Sequence, residues 1–153
     1  MKPEKIKLNK FNDKRGYLLE LLPKKFKNIF KYSIITSSKK NVIRGLHYDK
    51  FLNEKKLIYI LKGEILDVTV NVKGNKKIHY NKLKEGDALL VPSGFAHGYK
   101  CLANENLLLY FLSKNYNAKN QKGIFWKDKR LNIKWNINDP LISIKDKMLP
   151  ILP

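Results

Sequence analysis

The stretch from Gly86 to His97 reads as turn, strand, turn, histidine. Glu85-Gly86-Asp87 has the composition of a tight turn, Ala88-Leu89-Leu90-Val91 is a short apolar strand, and Pro92-Ser93-Gly94 turns the chain again before Phe95-Ala96-His97. The glycines supply positive φ and the proline holds its own φ near a turn value. Short β-rich runs punctuated by turn residues are the pattern of a sandwich or barrel. A second histidine lies upstream in Arg44-Gly45-Leu46-His47-Tyr48, again in a run that reads as a strand. Two strand-borne histidines in an all-β chain place two imidazoles inside one barrel.

The rest of the chain repeats that rhythm. Short β-rich runs cover Gly16 to Leu22, Ile29 to Thr36, Val42 to Tyr48, Leu57 to Leu61, Ile65 to Val72, Lys77 to Leu83, Ala88 to Val91, His97 to Leu102 and Leu107 to Leu112. Lys62-Gly63 reads as a turn or bulge and Gly74-Asn75 as a turn. Phe125 to Trp135 is irregular and aromatic-rich, and is expected to pack over the barrel mouth or a subunit interface. Helical signal is confined to Ser143-Ile144-Lys145-Asp146, an S-x-x-D capping box opening a turn or two. The expectation is one all-β domain over 1–153, with short C-terminal helical segments.

Composition narrows the functional classes. No apolar run approaches the roughly 20 residues of a membrane helix, and Met1-Lys2-Pro3-Glu4-Lys5 carries no apolar core of a secretory signal. A lone cysteine, Cys101, forms no internal disulfide. A cytoplasmic protein that does not bind membranes is expected. The net charge of +19, from 32 Lys+Arg against 13 Asp+Glu, suits a polyanion. Yet the lysines are scattered and no arginine-rich or aromatic-spaced motif appears, so nucleic acid is not expected as a partner. Such a field still favours capture of a nucleoside diphosphate.

His47 is the best general base, because an imidazole titrates near neutrality. It needs an orienting carboxylate, for which Asp146 is the candidate, with Asp67 and Asp49 behind it; the competing role of Asp146 is as the far half of the capping box. In a regular strand Arg44 and His47 point to opposite faces, but Gly45 between them permits a bulge that turns both inward. Tyr110 is a phenol in the apolar run Leu107 to Leu112, suited to proton transfer or to packing. Lys56 and Arg44 are cations able to stabilise an oxyanion. His79 sits in a lysine-rich run and reads as a surface residue.

The two histidine segments resemble the paired motifs of a cupin barrel, a jelly-roll double-stranded β-helix. Metal-binding cupins typically carry H-x-H and a nearby Glu in the first motif. Here that motif reads His47-Tyr48-Asp49 and the nearest Glu is Glu54, a poor set for a tight metal site. No metal and no cofactor are expected. The strings RGLHY (Arg44 to Tyr48) and GFAHGY (Gly94 to Tyr99) narrow the resemblance to the dTDP-4-dehydrorhamnose 3,5-epimerase family. Asp13-Lys14-Arg15-Gly16-Tyr17-Leu18-Leu19-Glu20 is similar to that family's D-x-R-G-x-x-x-E segment, Gly63 to Val68 to its G-E-x-x-D-V strand, Gly123 to Asp128 to its G-I-x-W-x-D segment and Lys145-Asp146 to its late K-D pair.

The resemblance implies roles. His47 is the base, Asp146 orients it, Lys56 steadies an enolate and Tyr110 is the acid on the opposite face. Arg15, Glu20, Arg44, His97 and Lys145 bind the nucleotide sugar. The barrels are expected to pair as homodimers with strands exchanged. The reaction implied is inversion of C3 and/or C5 of a nucleotide-linked 4-keto-6-deoxy sugar. The chain departs from the family at Lys122, where a Glu is usual, at Asn117, where a tyrosine is frequent, and in a shortened segment between Val72 and Gly86. These leave open the nucleotide (dTDP or GDP), the sugar and the number of centres inverted. A sugar 3,4-ketoisomerase and a non-catalytic sugar-binding module are the alternatives, and a metal-dependent oxygenase a more distant one.

Overall fold

The computed structural model describes residues 1–152; Pro153, the last residue of the expected domain, lies outside the described residues. The strands run in the order β1 (Glu4–Lys5), β2 (Asn9–Asp13), β3 (Gly16–Glu20), β4 (Tyr32–Lys39), β5 (Ile43–Asp49), β6 (Lys56–Lys62), β7 (Glu64–Asn71), β8 (Ile78–Lys84), β9 (Ala88–Val91), β10 (Phe95–Cys101), β11 (Glu105–Leu112) and β12 (Gln121–Gly123). A single α-helical turn, α1 (Ile144–Lys147), closes the series. Two five-stranded antiparallel sheets face one another, β1-β9-β6-β11-β4 and β12-β5-β10-β7-β8, and β2 and β3 form a separate hairpin. This is the expected all-β jelly-roll barrel.

Period-two alternation divides the apolar residues into three layers. Ile58, Ile60, Leu83, Leu89 and Leu108 fill the space between the sheets. The opposite faces of β6 and β11 carry Leu57, Tyr59, Leu109 and Phe111, covered by residues of the N-terminal segment such as Phe26 and Phe30. The outer face of the second sheet, with Ile43, Leu46, Val68 and Val70, is covered by the C-terminal segment through Ile124, Leu131, Trp135 and Leu152. The aromatic-rich stretch Phe125 to Trp135 is therefore a cover on the back of the second sheet rather than over the barrel mouth. The Trp135 indole donates to the Trp126 carbonyl at 2.8 Å, and the Lys100 ammonium donates to the Trp135 carbonyl.

The run expected from Ile29 begins as a strand only at Tyr32. The residues before it form a 3-10 turn, Lys24–Phe26, whose Phe26 stacks edge-on against Phe30 at 5.8 Å. The short strands β1 and β12 carry no alternation of their own and exist by pairing with β9 and β5. The turns around the first-noted strand form as expected, with Gly86 and Gly94 at φ +87° and +90°.

Candidate active site

The site begins where β5 pairs with β10. Gly45 has φ +106°, and the Gly45–Leu46 peptide is cis. A Cβ on Gly45 would stand 2.7 Å from the His97 carbonyl oxygen, and one on Gly98 would stand 2.8 Å from that of Arg44. Two facing glycines let the strands approach this closely. The register slips here, with His97 opposite His47 but Tyr99 opposite Arg44. The slip turns Arg44 and His47 to the same side, as the bulge expected at Gly45 requires.

Both side chains line a cavity of about 280 Å³ between the sheets. The second sheet contributes Arg44, His47, His97 and Tyr99; the first contributes Thr36, Lys56 and Tyr110. The imidazole of His47 thus comes from one sheet, and the ammonium of Lys56 and the phenol of Tyr110 from the other.

His47 Nε2 lies 2.8 Å from Asp146 Oδ1, and the other carboxylate oxygen accepts from the Gly45 backbone N–H at 3.1 Å. Ser143 caps α1 by accepting from the Asp146 backbone N–H at 3.1 Å. Half of the expected capping box thus forms, while the Asp146 carboxylate points to His47 and Gly45. Burial raises the Asp146 carboxyl, but hydrogen bonding and charge from His47 and the Gly45 N–H outweigh it and hold it below the ordinary range. An anionic Asp146 fixes the tautomer, with Nε2 as donor and Nδ1 as lone pair.

A second imidazole–carboxylate pair stands behind the first. His97, 4% exposed, lies 2.6 Å from Asp67 on the adjacent strand β7. The His97 ring meets that of Tyr110 edge-on, with centroids 6.1 Å apart. Burial pushes the Tyr110 phenol well above its ordinary value, and the neighbouring Tyr99 and Asp67 push the same way. Burial lowers the Lys56 ammonium, opposed by Glu54, whose carboxylate lies 3.5 Å away. Arg44 is held at the rim by Ser38 Oγ at 2.9 Å and the Ser37 carbonyl at 3.2 Å.

The other sequence candidates lie apart. Arg15 is on the exposed β2–β3 hairpin, paired with Asp13 at 2.5 Å, and Glu20 accepts from Asn9 at 2.7 Å. Lys145 is exposed on α1. None of the three lines the cavity. Asp49 is buried on β5, where it accepts from the Phe51 N–H at 3.1 Å. His79 is half-buried beside Phe95. Among the described residues no three His, Cys, Asp or Glu side chains converge as a metal cluster would. Tyr99, Thr36 and Glu54 are wall residues that sequence reasoning did not assign to substrate. Tyr99 had a usable signal, two residues beyond His97 and so on the same strand face.

The chain matches the family model of dTDP-4-dehydrorhamnose 3,5-epimerase over residues 4–153. It is 33% identical over 150 residues to the Shigella flexneri protein of that name, covering 89% of this chain and 83% of the relative. To the Escherichia coli K12 protein it is 32% identical, covering 91% and 83%. Among solved structures, the dTDP-4-dehydrorhamnose 3,5-epimerase of Bacillus anthracis superimposes with a TM-score of 0.90 at 32% identity, covering 98% of this chain and 94% of that one. The dTDP-6-deoxy-D-glucose-3,5-epimerase of Legionella pneumophila, in complex with dTDP-4-keto-L-rhamnose, gives 0.88 at 26%, covering 98% and 87%.

Proposed function

Since the chain belongs to the dTDP-4-dehydrorhamnose 3,5-epimerase family, we propose that it inverts C3, C5 or both in a nucleotide-linked 4-keto-6-deoxy sugar, with dTDP-4-keto-6-deoxyglucose as the first substrate to test. One observation carries the reading. An oriented imidazole, His47 with Asp146 at 2.8 Å, faces Tyr110 and Lys56 across a cavity of about 280 Å³.

The chemistry follows from the ketone, which acidifies the hydrogens on the carbons beside it. Nδ1 of His47 takes one of them, and Asp146 stabilises the imidazolium that forms. The electron pair moves onto the carbonyl oxygen, where the Lys56 ammonium offsets the enolate charge. Tyr110 returns a proton from the other sheet, and so from the other face of the ring, which inverts the centre. The imidazolium then releases its proton to solvent and the phenolate takes one up, which restores both groups. Arg44, at the rim, meets the diphosphate in this reading, and His97, hydrogen-bonded to Asp67, contacts the sugar.

Arg15 and Glu20 enter through a partner. The β2–β3 hairpin exposes Phe11, Tyr17 and Leu18 at 58%, 60% and 61%, an apolar face suited to a second copy of the chain. In a homodimer with exchanged hairpins, Arg15 and Glu20 serve the partner's cavity, and Lys145 the outer end of the ligand. A cytoplasmic setting fits a free, buried Cys101, and no helix of the described residues is long and apolar enough to cross a membrane.

The test is incubation in D₂O with dTDP-4-keto-6-deoxyglucose, following C3 and C5 by NMR. Deuterium at both carbons is expected of a 3,5-epimerase and at one of a mono-epimerase. Absence of exchange at both, with dTDP- and GDP-linked sugars alike, would overturn the reading.

A further inference from the structure

Glu54 takes no part in the steps above, yet among the described residues it is the one carboxylate lining the cavity. It lies in the loop leading to β6, and its side chain is only 4% exposed. The loop is pinned beside it: the Lys55 N–H donates to Ser113 Oγ at 2.8 Å, and the Lys55 carbonyl accepts from the Ser113 N–H at 3.0 Å. Oε2 of Glu54 has no hydrogen-bond partner. Its nearest cation, Lys56 Nζ, stands at 3.5 Å, an ion-pair distance too long for a normal N–H···O bond. Oε2 is turned toward Lys56 and Glu54 lines the cavity, so its carboxylate can accept a hydrogen bond from a donor on whatever fills the cavity.

The neighbouring Lys56 says which donor. Lys56 presents an N–H to the carbonyl oxygen of the bound ketone. Beside it, Glu54 presents an acceptor. A donor and an acceptor side by side match a carbonyl and a hydroxyl on adjacent carbons, the carbonyl accepting and the hydroxyl donating. We propose that Glu54 and Lys56 together recognise an α-hydroxy ketone, with the Glu54 carboxylate accepting from the hydroxyl vicinal to the carbonyl that Lys56 binds. In a 4-keto sugar this is the C3 hydroxyl, so Glu54 is a specificity-determining residue that selects sugars retaining it. The same bond fixes the rotation of the ring between His47 and Tyr110. This rests on the epimerase reading and extends it to the substitution pattern of the sugar.

The experiment compares two substrates, a nucleotide 4-keto-6-deoxy sugar and its 3-deoxy analogue, by kcat/KM for solvent deuterium exchange at the carbons beside the ketone. Wild-type protein is expected to prefer the hydroxylated sugar by at least about a hundredfold, because a site built to bond a hydroxyl rejects the analogue lacking it. Glu54→Gln keeps the volume but loses the charge-assisted acceptor, and should reduce that preference about tenfold or more. Glu54→Asp, which keeps the charge but withdraws it from the ligand, should do the same and serves if the amide variant folds poorly. An unchanged preference in a folded variant, or no preference in the wild type, overturns the assignment while leaving the epimerase reading intact. Absence of exchange by wild-type protein on the hydroxylated sugar instead removes the epimerase reading, and this inference with it.

Discussion

His47 is useful because of what holds it. The Asp146 carboxylate is kept ionised by the imidazole and the Gly45 N–H, so the proposed base has one tautomer. His47→Asn should lower deuterium exchange by roughly 10²–10⁴-fold, the usual cost of losing a general base, with little change in thermal stability; retained exchange would remove His47 from the role. Tyr110→Phe should separate the half-reactions. Proton removal persists while delivery from the other face fails, so NMR should show deuterium wash-in without net inversion. The alkaline side of the pH profile belongs to Lys56. Burial lowers its ammonium below the ordinary 10.5, so the charged form needed for the enolate is lost as pH rises through that lowered value. Tyr110 is raised well above 10.0 and stays a phenol over the same range. The alkaline limb of kcat should therefore fall below pH 10.5 and move upward in Lys56→Arg, whose guanidinium stays charged. A limb unmoved by that change would assign it to another group.

Among elements, the C-terminal segment does most to assemble the site. It crosses the outer face of the second sheet, pairs Leu141 with Val42, is tied to β10 by Lys100, and only then delivers Asp146 to His47. Ser143 ends that path by capping α1. Ser143→Ala should cost about 1 kcal/mol of stability, as lost N-caps do, read as a lower denaturant midpoint. It should also lower kcat more than it raises KM, because Asp146 loosens while the walls that bind the sugar stay in place. A purely structural role would leave kcat unchanged. The irregular pairing of β5 and β10 is the other decisive element. Its two glycines allow the register slip that brings Arg44 and His47 to one side.

At the scale of the molecule, three apolar layers and two sheets make a barrel whose cavity receives residues from strands far apart in sequence. The hairpin carrying Arg15 and Glu20 is outside that economy, exposed and apolar at Phe11, Tyr17 and Leu18. Light scattering should give twice the chain mass of 18.0 kDa, and Arg15→Ala should raise KM for the nucleotide sugar without dissociating the dimer. A monomer with full activity would exclude a contribution of the hairpin to the partner's site.

Alternation, turn residues and the spacing from Gly86 to His97 were sufficient to specify an all-β barrel, because strand periodicity and turn chemistry are local properties of the chain. The same local signals marked His47, His97 and Tyr110 as candidate site residues and Asp146 as the first of three carboxylates that could orient His47, and resemblance to a known family singled out Asp146 among them. What the residues alone left open was decided in three dimensions. Asp146 had two competing roles by composition; its carboxylate turns to His47 because the C-terminal segment folds back across the second sheet and brings residues 99 positions apart to within 2.8 Å. Asp67 joins His97, and Glu54 becomes an enclosed acceptor beside Lys56, for the same reason. Pairing between strands distant in sequence sets which side chains share a cavity, and that pairing is fixed by the packing of the whole barrel.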